Sequence, residues 1–399
     1  MKKSKRNELL LIFGKWTTCI GNIIFDYANS VSIVRLFTNS PHILAIYQSS
    51  ETFIQILFNL IGGVAADSRN KKKIVVMTDL IAAAICFLLS FSIKTEFVAE
   101  TIIIANILLA ITYAFNSPTY KSIVREVIEK DRIGFFNSIM NGGTEVIQII
   151  GPLISFISVS HIGVQGAMLF NSATFILSAI AEMKLTRLCP SMDEKNTKRN
   201  VFNEIKDGII YLLHERHIFY LVLLSALVNF FLAGYNLIIP FTDIIIVQGF
   251  YSKALMMQAV GGIIGSFISS KLAVEITEKI TTPIVFLGLT GGFLLLEPFM
   301  AITQNIYLCL FPFIGFGVAL TIFNIQFMSY IQIWVEEAYL GRVFSVVFTI
   351  AVSFMPIGSF VFSSFGKTND LSCFAFVGGG IVLLAVVFLI LLLILPKGT

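Results

Sequence analysis

The chain has 399 residues, 56% of them hydrophobic and only 13% charged, with a net charge of +4 and a mean hydropathy of +0.86. Soluble domains run at about 45–50% apolar and 25% charged, so water is not this chain's main solvent. The slight positive balance forms no basic stripe, and no nucleic-acid partner is implied. Cys19, Cys86, Cys189, Cys309 and Cys373 lie in or beside apolar runs without paired spacing, which argues against a disulfide framework or a zinc centre.

Runs long enough to cross a hydrocarbon core about 30 Å thick, a task needing about 20 helical residues, recur from end to end. In the first half they fall at 9–37, 42–66, 73–93, 97–118, 136–159 and 163–185. The first lacks a small-residue cleavage site and opens a series, so it reads as a retained helix and not a signal peptide. The second half repeats the pattern at 217–241, 250–273, 281–301, 305–331, 343–365 and 373–395. Between the halves lies the longest polar stretch, 187–216, with Pro190, Asp193, Glu194, Lys195, Lys198 and Arg199. The expected domains are therefore 1–186, a cytoplasmic linker at 187–216, and 217–399. Ile205, Ile209 and Leu212 are at helical spacing, so part of the linker is expected to lie on the membrane surface as an amphipathic helix.

Lysine and arginine concentrate in loops that stay on the cytoplasmic side. With the N-terminus inside, 23 of the 28 fall in the tails and inward loops, and the outward loops hold only Lys94, Lys253 and Lys367. Both termini are expected in the cytoplasm. The stretch 128–151 matches 335–358 at a constant offset of 207 residues: Glu129 aligns with Glu336, Ser138 with Ser345 and Gly151 with Gly358. That register is where a six-plus-six duplication would place it.

The most specific motif is the loop between the second and third runs, where Gly63 is followed by Asp67 and then by Lys71 and Lys72. The glycine permits close helix approach, and the carboxylate can accept charge-assisted hydrogen bonds in one conformation and release them in another. Together these four residues read as a conformational latch. In this loop the sequence resembles the major facilitator superfamily, with Ala65 and Ser68 replacing two usual residues. Gly21-Asn22 with Phe25, the turn Thr38-Asn39-Ser40, and Leu340-Gly341-Arg342-Val343-Phe344-Ser345 resemble its macrolide-efflux-like branch of drug:proton antiporters. The resemblance implies an all-α fold of twelve transmembrane helices in two six-helix bundles. Gly151-Pro152 partly matches the antiporter motif of the fifth span, where Pro removes a backbone donor and Gly removes bulk; a helix kink is expected there.

Ionisable groups inside apolar runs are costly and are functional candidates by default. Asp26, Glu51 and Glu145 qualify, and the resemblance places their helices around a central cavity. Such a carboxylate can take and release a proton and, when charged, attract a cationic substrate. Asp26 is the strongest candidate, being near mid-span and bracketed by Asn22 and Asn29. In the second half, Phe230, Tyr235, Asn236, Phe323, Asn324 and Gln326 are candidates for an apolar substrate surface, Gly261 and Gly265 for a close helix contact, and Glu297 and Asp243 for lesser ionisable sites. There is no phosphate-binding GxxxxGK motif, and His214-Glu215-Arg216-His217 is too short for a zinc protease motif. No enzyme, cofactor or metal is expected. The function read from the sequence is proton-coupled efflux of a small amphipathic compound by a monomer in the cytoplasmic membrane. The alternatives are a lipid or lysolipid flippase or metabolite importer of the same fold, or a membrane sensor or channel.

Overall fold

The computed structural model describes every residue except 1, 38, 67–69, 95–96, 189–208, 273–275, 277, 337–338, 366–369 and 395–399. It divides into two compact units, 1–197 and 198–399. Among the described residues every long element is helical. The N-terminal unit holds α1 (Lys2–Leu36), α2 (Ser40–Ala66), α3 (Lys71–Ser90), α4 (Val98–Val127) and one helical stretch, Ile133–Met183, which Gly163 divides into α5 (133–162) and α6 (164–183). The C-terminal unit holds α7 (Arg216–Ile238), α8 (Phe250–Ser270), α9 (Thr281–Ile302), α10 (Ile306–Trp334), α11 (Leu340–Phe365) and α12 (Ser372–Ile394). By length and composition, eight helices among the described residues are able to cross a membrane, counting Lys130–Met183 as one. Large apolar side chains such as Phe87, Leu88, Phe267 and Phe299 are exposed, as suits a solvent of lipid tails.

Local chemistry sets the element ends. Gly163 has φ 61 and ψ −171, a conformation only glycine adopts cheaply, so the long stretch breaks there, while Pro152 stands inside continuous helix. The Asn305 side chain accepts from the Tyr307 and Leu308 amides and starts α10. α1 begins seven residues before its apolar run because its first polar residues have partners. The buried Asn7 amide donates to the carbonyls of Val127 and Thr186, both at 2.7 Å, and Arg132 grips both oxygens of Glu8.

In the N-terminal unit α1 packs along both α5 and α6, α2 along α4, and α3 along α4 and α6. In the C-terminal unit α7 packs on α11, α8 on α10, and α9 on both α10 and α12. Lipid gives helices no hydrophobic reason to associate, so close approach at small residues carries much of the contact. A Cβ on Gly261 would lie 2.2 Å from the Ile314 carbonyl oxygen, and one on Gly317 2.1 Å from that of Gln258. The repeat reappears in this packing. Gly151 of α5 meets Ile23 of α1, and Gly358 of α11 meets Phe230 of α7, with both members of the pair displaced by 207 residues.

Candidate functional site

α1, α2, α3, α4 and α6 enclose a cavity of about 290 Å³ inside the N-terminal unit. Helical spacing builds its walls: Lys15, Thr18, Asn22 and Asp26 recur every three or four residues on α1, as do Phe175, Ser178 and Glu182 on α6. The wall carries four carboxylates, Asp26, Glu51, Asp79 and Glu182, and one ammonium, Lys15.

Asp26 and Glu51 share one region. The Tyr47 hydroxyl donates to Asp26 Oδ1 at 3.0 Å and accepts from the Asn29 amide at 3.4 Å. Asn106 of α4 ties down the Tyr47 carbonyl at 2.8 Å and reaches the Ser50 hydroxyl at 3.3 Å, and Gln55 donates to Glu51 at 3.0 Å. Both carboxylate residues are exposed at the surface of the unit, while Tyr47 and Asn29 are buried behind them. This arrangement offers fixed negative charge to a cationic group entering the cavity.

Asp79 and Glu182 occupy the other region and are almost fully buried. Asn116 donates to Asp79 at 3.0 Å and to the Thr78 hydroxyl at 2.8 Å, and the Ser178 hydroxyl bonds the same carboxylate. The Lys15 ammonium sits 5.6 Å from the Tyr113 ring centre and 5.8 Å from that of Tyr120, a cation–π pairing that holds it in the cavity.

Of the sequence candidates, Asp26 and Glu51 meet here and Glu145 does not: it lies on an exposed face of α5, which contributes nothing to this cavity. Asp79 and Glu182 satisfy the criterion that selected Asp26, a carboxylate within an apolar run, and were missed although their runs were correctly placed. In the loop motif, Asp67 lies outside the described residues, as do the side-chain surroundings of Gly63. Lys71 pairs with Glu126 of α4 at 2.9 Å, an oxygen pair completed by Arg187 at 3.3 Å. Lys72 donates to the carbonyls of Met183 and Leu185 at 2.6 and 2.8 Å, where a cation suits the C-terminal end of α6.

In the C-terminal unit Tyr235, Phe323 and Gln326, read as a substrate surface, are buried within the unit. Tyr235 donates to Gln258 at 2.7 Å and packs on Phe316, and Gln326 donates to Ser269 at 3.0 Å. Asn236 and Asn324 are exposed. Asp243 holds the Tyr251 amide at 2.8 Å. Glu297 is fully buried, and among the described residues neither of its oxygens has a hydrogen-bond partner.

A family model described as "Major Facilitator Superfamily" matches residues 11–359. A Bacillus subtilis (strain 168) protein described as "Uncharacterized MFS-type transporter YkuC" is 23% identical over 241 residues, 58% of this chain and 54% of that protein, so the match spans about half of the relative's length. Among solved structures, the nucleoside transporter NupG aligns over 100% of both chains at 15% identity with a TM-score of 0.69. A bacterial homologue of the iron transporter ferroportin, in its inward-facing state, aligns over 96% of this chain and 98% of its own at 16% identity and a TM-score of 0.72. The peptide transporter POT aligns over 97% and 94% at 13% identity and a TM-score of 0.70. At these identities the structures share the fold.

Proposed function

The chain belongs to the Major Facilitator Superfamily and is a multi-pass membrane transporter, not an enzyme, and we propose that it couples proton movement to efflux of a small, amphipathic, cationic organic compound. The sequence's resemblance to the macrolide-efflux-like branch supports this reading. In this reading the chain has twelve spans in two six-helix units with both termini in the cytoplasm, and the substrate is exposed to each side of the cytoplasmic membrane in turn. A single chain suffices for the cycle.

The observation that carries the proposal is the carboxylate-lined cavity, with Asp26 and Glu51 accessible and Asp26 oriented by Tyr47. A cationic head binds the charged carboxylates while its apolar body occupies the cavity mouth. A proton arriving from outside neutralises Asp26, weakens that attraction and releases the substrate outward. Glu145 is the remaining carboxylate candidate, on α5. The latch, Gly63, Asp67, Lys71 and Lys72, biases which way the transporter faces, with Lys71 and Lys72 acting through their bonds to α4 and α6. Gly151 and Pro152 let α5 lie close to α1.

A substrate panel in everted vesicles, with proton movement recorded alongside uptake, tests cargo, coupling and direction together. Full proton-dependent activity in both Asp26→Asn and Glu145→Gln removes the mechanism. Absence of saturable counterflow in proteoliposomes would turn the carrier into a channel.

A further inference from the structure

We propose that Asp79 of α3 and Glu182 of α6, facing Lys15 of α1, form an enclosed proton-binding site distinct from Asp26 and Glu51. The inference rests on the proton-coupled reading and adds to the proton that neutralises Asp26 a second place for a proton in the same cavity.

Lys15 and Asp26 are separated by 11 residues of continuous α1, about 16 Å at 1.5 Å per residue. The cavity therefore has two charged ends. Glu182 is one residue from Met183, whose carbonyl Lys72 holds, so its end is the one beside the start of α3. Asp26 and Glu51 are exposed, whereas Asp79 is 7% and Glu182 3% exposed. One end meets a large solute and the other admits only something small.

Among the described residues, Glu182 Oε2 is buried without a hydrogen-bond partner, and leaving a buried polar atom unpaired costs about 1–3 kcal/mol. Tyr120 does not supply the missing donor, because its hydroxyl is committed to the Leu11 carbonyl at 3.0 Å. A proton on the pair removes one of its two negative charges and with it much of the cost of leaving that oxygen buried and unpaired.

The groups facing the pair are Lys15 on α1, Tyr113 and Tyr120 on α4, and, at the far end, Asp26 on α1 and Glu51 on α2. Locally this leaves two carboxylates against one ammonium, and one bound proton makes the cluster neutral. Asp79 accepts from Asn116 and Ser178, donors that favour a charged carboxylate, so within the pair the proton belongs on Glu182, whose oxygen lacks such a donor among the described residues.

The site is tested without a transported substrate. Infrared difference spectra of the purified full chain, recorded across pH, are expected to contain a buried carboxylic-acid C=O band that titrates. The band is lost in Glu182→Gln and again in Asp79→Asn, while Glu297→Gln, which removes the other carboxyl that is buried and unpaired among the described residues, leaves it in place. Its persistence in both site variants overturns the proposal. Sodium replacing choline at constant pH is expected to leave the band unchanged; a sodium-driven loss that requires Glu182 assigns the site to sodium and also overturns it. If either site variant fails to fold, Lys15→Met keeps both carboxyls and is expected to move the titration midpoint, and an unmoved midpoint counts against the site. The vesicle panel reads the underlying transport proposal separately: an intact Glu182-dependent band with no proton movement during uptake leaves the site standing and removes the coupling.

Discussion

The N-terminal unit keeps Asp79, Glu126 and Glu182 among its helices and joins them to Lys15, Lys71, Asn116 and Arg187. The C-terminal unit fills its interior with rings, Tyr235 lying against Phe313, Phe316 and Phe374, and with glycines that bring backbone onto backbone. Because Ile23 and Phe230 keep equivalent places against Gly151 and Gly358, α1 and α7 can be compared residue by residue. At that register Asp26 corresponds to Ala233 and Lys15 to Val222. One duplicated frame thus carries two chemistries. Charged side chains are held within the first unit, and in the second close packing tolerates little change of volume.

The sharpest test of this contrast is steric. Gly358→Leu drives a side chain into the Phe230 backbone, its Cβ alone falling 2.2 Å from that carbonyl oxygen, and should cost about 3 kcal/mol, the upper end for overpacking. Gly151→Ala meets only the flexible Ile23 side chain and should cost about 1 kcal/mol. Thermal unfolding midpoints in detergent measure both, and equal shifts would break the contrast.

Next in size is a functional effect without a stability effect. Asp26→Asn should cut proton–substrate coupling by up to roughly 100-fold, near the top of the usual range of coupling energies. Its unfolding midpoint should match the parent, since Asn retains an oxygen for the Tyr47 hydroxyl. Tyr235→Phe should show the opposite pattern: a loss of about 1 kcal/mol from stranding Gln258 with coupling intact. Glu126→Gln should also cost stability, about 1–3 kcal/mol, because Glu126 is buried and its replacement leaves the largely buried Lys71 without its counter-charge, with little dependence on salt. A larger loss of transport than of stability in that variant would give the Lys71–Glu126 pair a part in switching.

Hydrophobic run length by itself located the long helices, because crossing lipid demands unbroken apolar residues and every backbone group satisfied within its own segment. The sequence also determined the repeat, since a duplicated frame preserves the glycines at close contacts. It set Asp26 apart, because a charge in mid-span announces its cost. Where local rules met tertiary partners the outcome differed. α1 and α4 extend past their apolar runs because Asn7 and Glu126 find partners on distant segments. The break in the long helical stretch fell at Gly163, where the backbone needed a conformation that only glycine adopts cheaply. Which carboxylates share a cavity was decided by tertiary structure alone: Asp79 and Glu182 stand 103 positions apart in the chain and are brought together by α3 packing on α6, while Glu145, equally conspicuous in sequence, lies on an exposed face of α5 outside that cavity.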